Sequence, residues 1–208
     1  LSYLSNYRFH EKRLSCDERA KARKLSTVRS MFKYFFNKGL IETNNTAKVA
    51  TPKLHEKEII RLEGGEIPSL LNAAEYGDGL SKHAVGYHEK TKIRDIAILT
   101  LFLGTGIRIS ELVGLNDESI DFSNNSFVVT RKGGNKAILY FSEEVGDALA
   151  AYLAQKEEDP HVSAEEHALF LSLQYRRITV RAVENLVKKY AGIVTPLKKI
   201  TPHKLRST

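Results

Sequence analysis

Five residues in the second half of the chain have the types and spacing to act together on a phosphate ester. Arg108 and Glu111 are three apart, so on a helix they share a face. Lys132 opens a Lys-Gly-Gly-Asn turn, and His203 and Arg206 repeat the three-residue spacing near the C-terminus. Arginine presents a planar fork of donors that grips two oxygens of one phosphate and stays charged throughout. Histidine exchanges protons near neutral pH, and a lysine on a hairpin could protonate a departing oxygen. Preorganised cations aimed at developing negative charge are commonly the largest catalytic term. Taken singly, each residue has a plainer use: a surface helix pair, a solvated turn, a packing or capping histidine. The combination singles them out, and no Asp/Glu/His cluster accompanies it to suggest a metal set.

These residues need elements to place them. Ile96 to Leu103 is strongly apolar and predicts a helix buried on nearly all sides, beginning near Lys92. It stops at Gly104-Thr-Gly106, where both glycines permit backbone angles that other residues avoid. A second helix follows, with Arg108 in its first turn and Ile109, Leu112, Val113 and Leu115 toward a core. A cation near the positive end of a helix is unfavourable by a few tenths to about 1 kcal/mol. Arg108 therefore needs compensation, from Glu111 or from a bound phosphate.

Downstream the periodicity changes. Ile120 to Phe122, Ser126 to Arg131 and Ala137 to Phe141 predict short strands joined by Ser123-Asn-Asn and Lys132-Gly-Gly-Asn turns, hence a small antiparallel sheet. Ser142-Glu-Glu opens a helix to about Gln155, with Ser142 as its cap. Thr179 caps a helix with Val180, Val183, Leu186, Val187 and Tyr190 on its core face and Gly192 at its end. Thr201-Pro202 starts one more, with Thr as cap and Pro at the first helical position, so His203 and Arg206 share a face. Upstream, Asp17 to Asn37 is helical, its stripe of Leu25, Val28, Phe32, Phe35 and Phe36 read as core packing. Glu66 to Ala74 is a short helix, and Tyr76 to Tyr87, with three glycines, is a surface loop. The fold class is mainly α with a small antiparallel β-sheet. The domains are a partial helical domain over 1–50, a linker over 51–62 and a larger domain over 63–208.

Charge is unevenly divided. The 208 residues carry a net charge of +7, yet residues 1–61 hold 14 Lys+Arg against 6 Asp+Glu. That asymmetry is the footprint expected on a polyanion, and Lys21, Arg23, Lys24, Arg29 and Lys33 lie largely off the apolar stripe as candidate DNA contacts. An apolar content of 42% with 27% charged residues suits a globular protein, and the one cysteine, Cys16, can form no internal disulfide. No apolar run approaches the roughly 20 residues that span a bilayer, so a cytoplasmic location is the expectation.

Gly106-Ile-Arg108-Ile-Ser-Glu111-Leu-Val-Gly-Leu115, then Lys132-Gly-Gly-Asn-Lys136, then His203-Lys-Leu-Arg206-Ser-Thr, in that order and with about 95 residues from Arg108 to His203, resembles the tyrosine recombinase (phage integrase and Xer) family. Leu25 to Leu54 also resembles the end of that family's helical core-binding domain. The resemblance implies a two-domain clamp on double-stranded DNA. It also implies tyrosine attack to give a 3′-phosphotyrosine and a free 5′-hydroxyl, and other recombinase protomers as partners in a tetramer on two DNA sites. By motif, Arg108 and Arg206 would hold the non-bridging oxygens and His203 would assist proton transfer. Lys132, with Lys136 as the fallback, would act as general acid, and Glu111 would support the site. A covalent intermediate conserves bond energy, so no cofactor is implied. The family's nucleophile lies beyond the His-x-x-Arg motif, where this sequence offers no tyrosine. The expectation is a fragment that binds DNA without cleaving it. The alternatives are a catalytically incomplete accessory DNA-binding protein, a type IB topoisomerase-like enzyme, or a helical interaction protein with a basic arm.

Overall fold

The computed structural model describes residues 16–54, 60–131 and 133–206. The chain divides into two compact units, Leu1–Glu58 and Ile59–Thr208.

In the first unit, helix α1 (Glu18–Asn37) starts on Asp17, whose carboxylate accepts the Ala20 N–H at 2.6 Å. A single 3-10 turn follows over Asn45–Lys48. The expected core packing of the stripe is corrected here. Leu25 is buried, but Val28 and Phe36 are 38% and 47% exposed. Among the described residues the 44–51 segment lies against α1, and Arg29 rather than an aromatic ring makes the tie. Its guanidinium donates to the Thr46 and Val49 carbonyls and to the Thr51 hydroxyl.

The second unit runs α2 (Glu66–Tyr76), α3 (Lys82–Thr105), α4 (Ile109–Val113), β1 (Ile120–Asp121), β2 (Ser126–Thr130), β3 (Lys136–Tyr140), α5 (Glu143–Glu158), α6 (Val180–Val194) and α7 (Pro202–Leu205). It is mainly helical with one small sheet. Helix α3 is the centre: Ala97, Ile98, Leu99, Leu101 and Phe102 lose all solvent contact, and α2 and α5 pack against it. No described helix is long and apolar enough to cross a membrane. The strands form an antiparallel sheet in the order β1-β2-β3, with Phe127 opposite Leu139 and Thr130 opposite Lys136. Phe127 and Val129 face the core while Val128 and Thr130 face out, as a two-residue period requires.

Several expectations need correction. The stretch from Lys82 is helix rather than loop, because Ser81 caps it through the Ala84 N–H and one interior glycine, Gly86, costs only about 1 kcal/mol in a long helix. Gly192 does not end α6, which continues to Val194 because Ile193 packs on the core. Val180 is exposed. The side chains of Ser142 and Thr201 make no capping bond, whereas Thr179 does, to the Ala182 N–H at 3.2 Å. Gly104 is helical and serves a close approach instead: a Cβ there would lie 2.6 Å from Val145 Cγ2 on α5.

The middle of α3 also holds a buried charge. Asp95 Oδ2 accepts from Thr91 Oγ1 at 3.2 Å, Lys189 Nζ at 3.0 Å and Tyr190 Oη at 2.9 Å, while Oδ1 accepts from Arg94. Arg94 also donates to the Leu171 carbonyl at 2.8 Å. One carboxylate thereby ties α3 to α6, and its lone pairs are well used, as a buried charge demands. Burial, and after it the Asp95 charge, push the Tyr190 hydroxyl above its usual range, so it remains a donor.

Two stability changes follow. Tyr190→Phe removes one hydrogen bond to a buried charge and should cost about 1.5–3 kcal/mol in urea unfolding; an unchanged midpoint would show the carboxylate does not need that donor. Gly104→Ala should destabilise by about 1–3 kcal/mol through overpacking, and less when Val145→Ala is already present. Equal costs in both backgrounds would place the strain elsewhere.

Candidate active site and nucleic-acid interface

The corner between α3 and α4 is built by its backbone. Gly106 takes φ +60° and its N–H caps α3 on the Phe102 carbonyl at 3.0 Å. Arg108 is then the N-cap of α4 rather than a first-turn residue, with extended backbone and its carbonyl accepting the Leu112 N–H at 2.9 Å. The cation still lies at the positive end of the helix, and the Glu111 carboxylate offsets it. Glu111 closes the turn: Oε2 accepts the Arg108 backbone N–H at 3.1 Å and Oε1 accepts the guanidinium at 2.7 Å. The Glu111 side chain is 5% exposed and that of Arg108 49%, so the carboxylate is the buried support and the guanidinium reaches outward.

At the far end of the same short helix Arg177 donates to the Val113 and Leu115 carbonyls at 3.0 and 2.8 Å and to Asn116 Oδ1 at 2.6 Å. Those carbonyls include ones a helix terminus leaves unpaired. A five-residue helix has little stability of its own. Here both ends are held by arginine contacts, which the apolar pattern alone did not reveal.

The C-terminal motif arrives at the same corner. Pro202 and Leu205 of α7 are buried, and His203 and Arg206 are exposed on the other side. A Cβ on Gly106 would lie 3.4 Å from Arg206 Cγ and 3.8 Å from its carbonyl oxygen. Arg206 therefore packs against the backbone two residues before Arg108. Its guanidinium has no ion-pair partner among the described residues. Lys132 lies outside the described residues. Its neighbours do not: Gly133 and Gly134 take φ of +92° and +82°, Arg131 N–H donates to the Asn135 carbonyl at 2.8 Å, and Lys136 sits exposed on β3.

Arg131 itself was missed by the reading of motifs. Its Nε stands 4.0 Å from Glu111 Oε1, which brings the hairpin toward the Arg108 carboxylate. The signal lay in the sequence: Arg131 immediately precedes Lys132, and two adjacent cations call for an acid nearby. Burial pushes the Glu111 carboxyl up, but hydrogen bonds from the Arg108 side chain and backbone, and then the charges of Arg108 and Arg131, outweigh it; the group is held below the ordinary carboxylate range.

The candidate DNA contacts on α1 divide. Arg23 and Lys33 are exposed, Lys21 pairs with Glu18 at 2.7 Å, and Lys24 Nζ lies 3.1 Å from Cys16 Sγ. Arg29 spends its donors on the 44–51 segment as described above. Among the described tyrosines, Tyr152 and Tyr190 are buried; burial first pushes the Tyr152 hydroxyl up to about 12, and that hydroxyl accepts the Leu171 N–H. Tyr175 stacks on His161. None belongs to the elements that carry Arg108, His203 and Arg206.

The phage integrase family pattern matches residues 61–208. A tyrosine recombinase XerC of Thermodesulfovibrio yellowstonii is 35% identical over 191 residues, covering 90% of this chain and 60% of that protein. A tyrosine recombinase XerS of Streptococcus agalactiae is 34% identical over 207 residues, covering 89% and 57%. The chain thus spans about three-fifths of the length of these curated relatives. Among solved structures, the Tn1549 transposon integrase in complex with circular intermediate DNA has a TM-score of 0.62 at 22% identity, covering 91% of this chain and 64% of that one. The XerA recombinase has a TM-score of 0.58 at 21% identity, covering 92% and 60%. These two show a shared fold, and with the family match over the whole second unit they place the chain in the phage integrase family of tyrosine recombinases.

Proposed function

We propose that the chain supplies the DNA-binding and phosphate-activating parts of a site-specific recombinase or integrase that works through a 3′-phosphotyrosine. The observation that carries this reading is the meeting of the two arginine motifs. Arg206 packs on Gly106, so residues about 100 positions apart present their guanidinium-bearing segments at one corner. Two planar forks there suit the two non-bridging oxygens of a phosphodiester. Their charge would stabilise the negative charge that builds in in-line displacement.

In the reaction so read, a tyrosine hydroxyl oxygen attacks phosphorus, the bond to the 5′-oxygen breaks, and the 5′-oxygen takes a proton. Arg108 and Arg206 hold the phosphate, with Glu111 fixing Arg108. His203 assists proton transfer at the phosphate, and Lys132 or Lys136 delivers the proton to the 5′-oxygen. The phosphotyrosine retains the bond energy, so rejoining reverses the same steps. The support groups at Glu111 and Arg177 fit this demand, since a phosphate clamp needs side chains held in place before the substrate arrives. Double-stranded DNA is the proposed partner, with Arg23 and Lys33 as exposed cations on α1. Other recombinase protomers would complete a tetramer, as the family implies. We assign the nucleophile to none of the described tyrosines, because the buried pair is committed to hydrogen bonds and the others lie off the clamp elements. An accessory DNA-binding role is the second reading, favoured by that same arrangement.

The affinity of residues 1–208 for duplex DNA should fall with salt at a log–log slope of roughly −0.9 per neutralised phosphate. Arg206→Gln should make that slope shallower by about 1 while leaving thermal unfolding unchanged. A slope near zero for the unsubstituted chain would sink the DNA reading. Incubation with a nicked duplex that traps the cleaved strand should leave no covalent protein–DNA adduct. An adduct that survives denaturing electrophoresis would mean a tyrosine within these residues is the nucleophile.

A further inference from the structure

The β2–β3 hairpin carries the turn next to which the proposed general acid sits, yet much of it faces solvent. Val128, Ile138 and Tyr140 are 40%, 59% and 70% exposed, and Thr130 and Lys136 are exposed beyond them. β1 pairs only with Ser126 and Phe127 at the base of β2, so the tip end of the hairpin lies beyond that support, and two strands alone are marginally stable. Among the described residues, the hairpin has one ion pair to the rest of the domain: Arg131 Nε to Glu111 Oε1, at 4.0 Å. The same oxygen accepts the Arg108 guanidinium at 2.7 Å.

We propose that Arg131 is a positioning residue that docks the β2–β3 hairpin, through Glu111, onto the corner carrying Arg108. Its place in the chain suits the task. It directly follows β2, and its backbone closes the neck of the hairpin. The N–H donates to the Asn135 carbonyl at 2.8 Å and the carbonyl accepts the Gly134 N–H at 3.0 Å. One residue therefore holds both the turn's base and the buried carboxylate, and the turn moves with it. Glu111 in turn is shared by two guanidinium groups, so hairpin and phosphate clamp take their positions from a single anion. A carboxylate with several lone-pair sites can accept from both. Arg131 is 45% exposed on its side chain, which screens the pair and limits its strength. That strength is enough to bias a hairpin without being essential to the fold. The functional meaning of the contact rests on the recombinase reading above; the contact itself does not.

Amide hydrogen exchange of residues 1–208 without DNA tests it. Arg131→Gln should speed exchange at the tip end of the β2–β3 ladder by about 2- to 5-fold and leave α3 and α6 unchanged. Arg131→Lys should retain protection close to that of the unsubstituted chain. In a Glu111→Gln background, Arg131→Gln should add nothing, because the partner is already gone. The Glu111 carboxyl carbon, followed by NMR, should titrate at higher pH in Arg131→Gln than in the unsubstituted chain, a change that loss of packing elsewhere would not produce. Unaltered hairpin exchange in Arg131→Gln would overturn the proposal, as would an effect of equal size in the Glu111→Gln background. Failure of the unsubstituted chain to bind DNA would count instead against the recombinase reading and is read separately.

Discussion

The arrangement depends on where α3 is forced to stop. Ala97 to Phe102 are buried and α2 and α5 pack on the helix, so it cannot shift along its axis without opening the core. Val145 presses so closely on Gly104 that only a glycine fits there, and Gly106 reverses the chain immediately after. The position of Arg108 is then set by the packing of the helix before it and by its own bonds to Glu111. Arg206 comes to rest on the same glycine from the other end of the domain. A rigid helix end thus serves as the reference point for two arginines that the chain order keeps far apart.

Electrostatics completes what packing begins. A guanidinium at the start of a helix opposes the helix dipole, and the domain meets this by making Arg108 a cap and burying Glu111 beneath it. The buried carboxylate is stabilised in its charged form by Arg108 and Arg131, so it remains an anion well below neutral pH. Near the middle of α3 another buried carboxylate, Asp95, draws Arg94, Lys189 and Tyr190 around it and fastens α6 to the same helix. Helix α6 leads by a short loop to α7 and hence to His203 and Arg206. Lys198 in that loop pairs with Glu66 of α2 at 2.8 Å, which keeps the return path short. Two buried anions thereby brace the domain, one near the middle of the central helix and one just past its C-terminal end.

An open, cationic face matches a polymer substrate better than a small molecule. The two larger cavities among the described residues, about 420 and 600 Å³, are lined by residues other than Arg108, Glu111 and Arg206. Arg206 and the half-exposed guanidinium of Arg108 both lie at the surface. Small-ligand sites are typically concave and mostly apolar. Neither cavity includes the corner that carries Arg108, whose guanidinium lies at the surface.

The elements themselves were largely legible in the residues. The apolar run to Leu103, the alternation around Phe127 and Val129, and the glycine-rich turns report local periodicity and local backbone freedom, and these do not need the rest of the chain. The order and spacing of Arg108, Lys132 and His203 to Arg206 identified the family for the same reason. What the sequence misjudged were features whose cause is distant. Gly104 looked like part of the corner and is a point of close approach to Val145; Gly192 looked like a stop and is overridden by the packing of Ile193. Arg131 went unnoticed because its partner is 20 residues away in the chain. The sequence by itself determined the secondary elements and the identity of the charged groups. The tertiary structure alone decided which of those charges are buried, which are paired, and that Arg206 returns to Gly106, because burial and pairing are set by neighbours that only folding brings together.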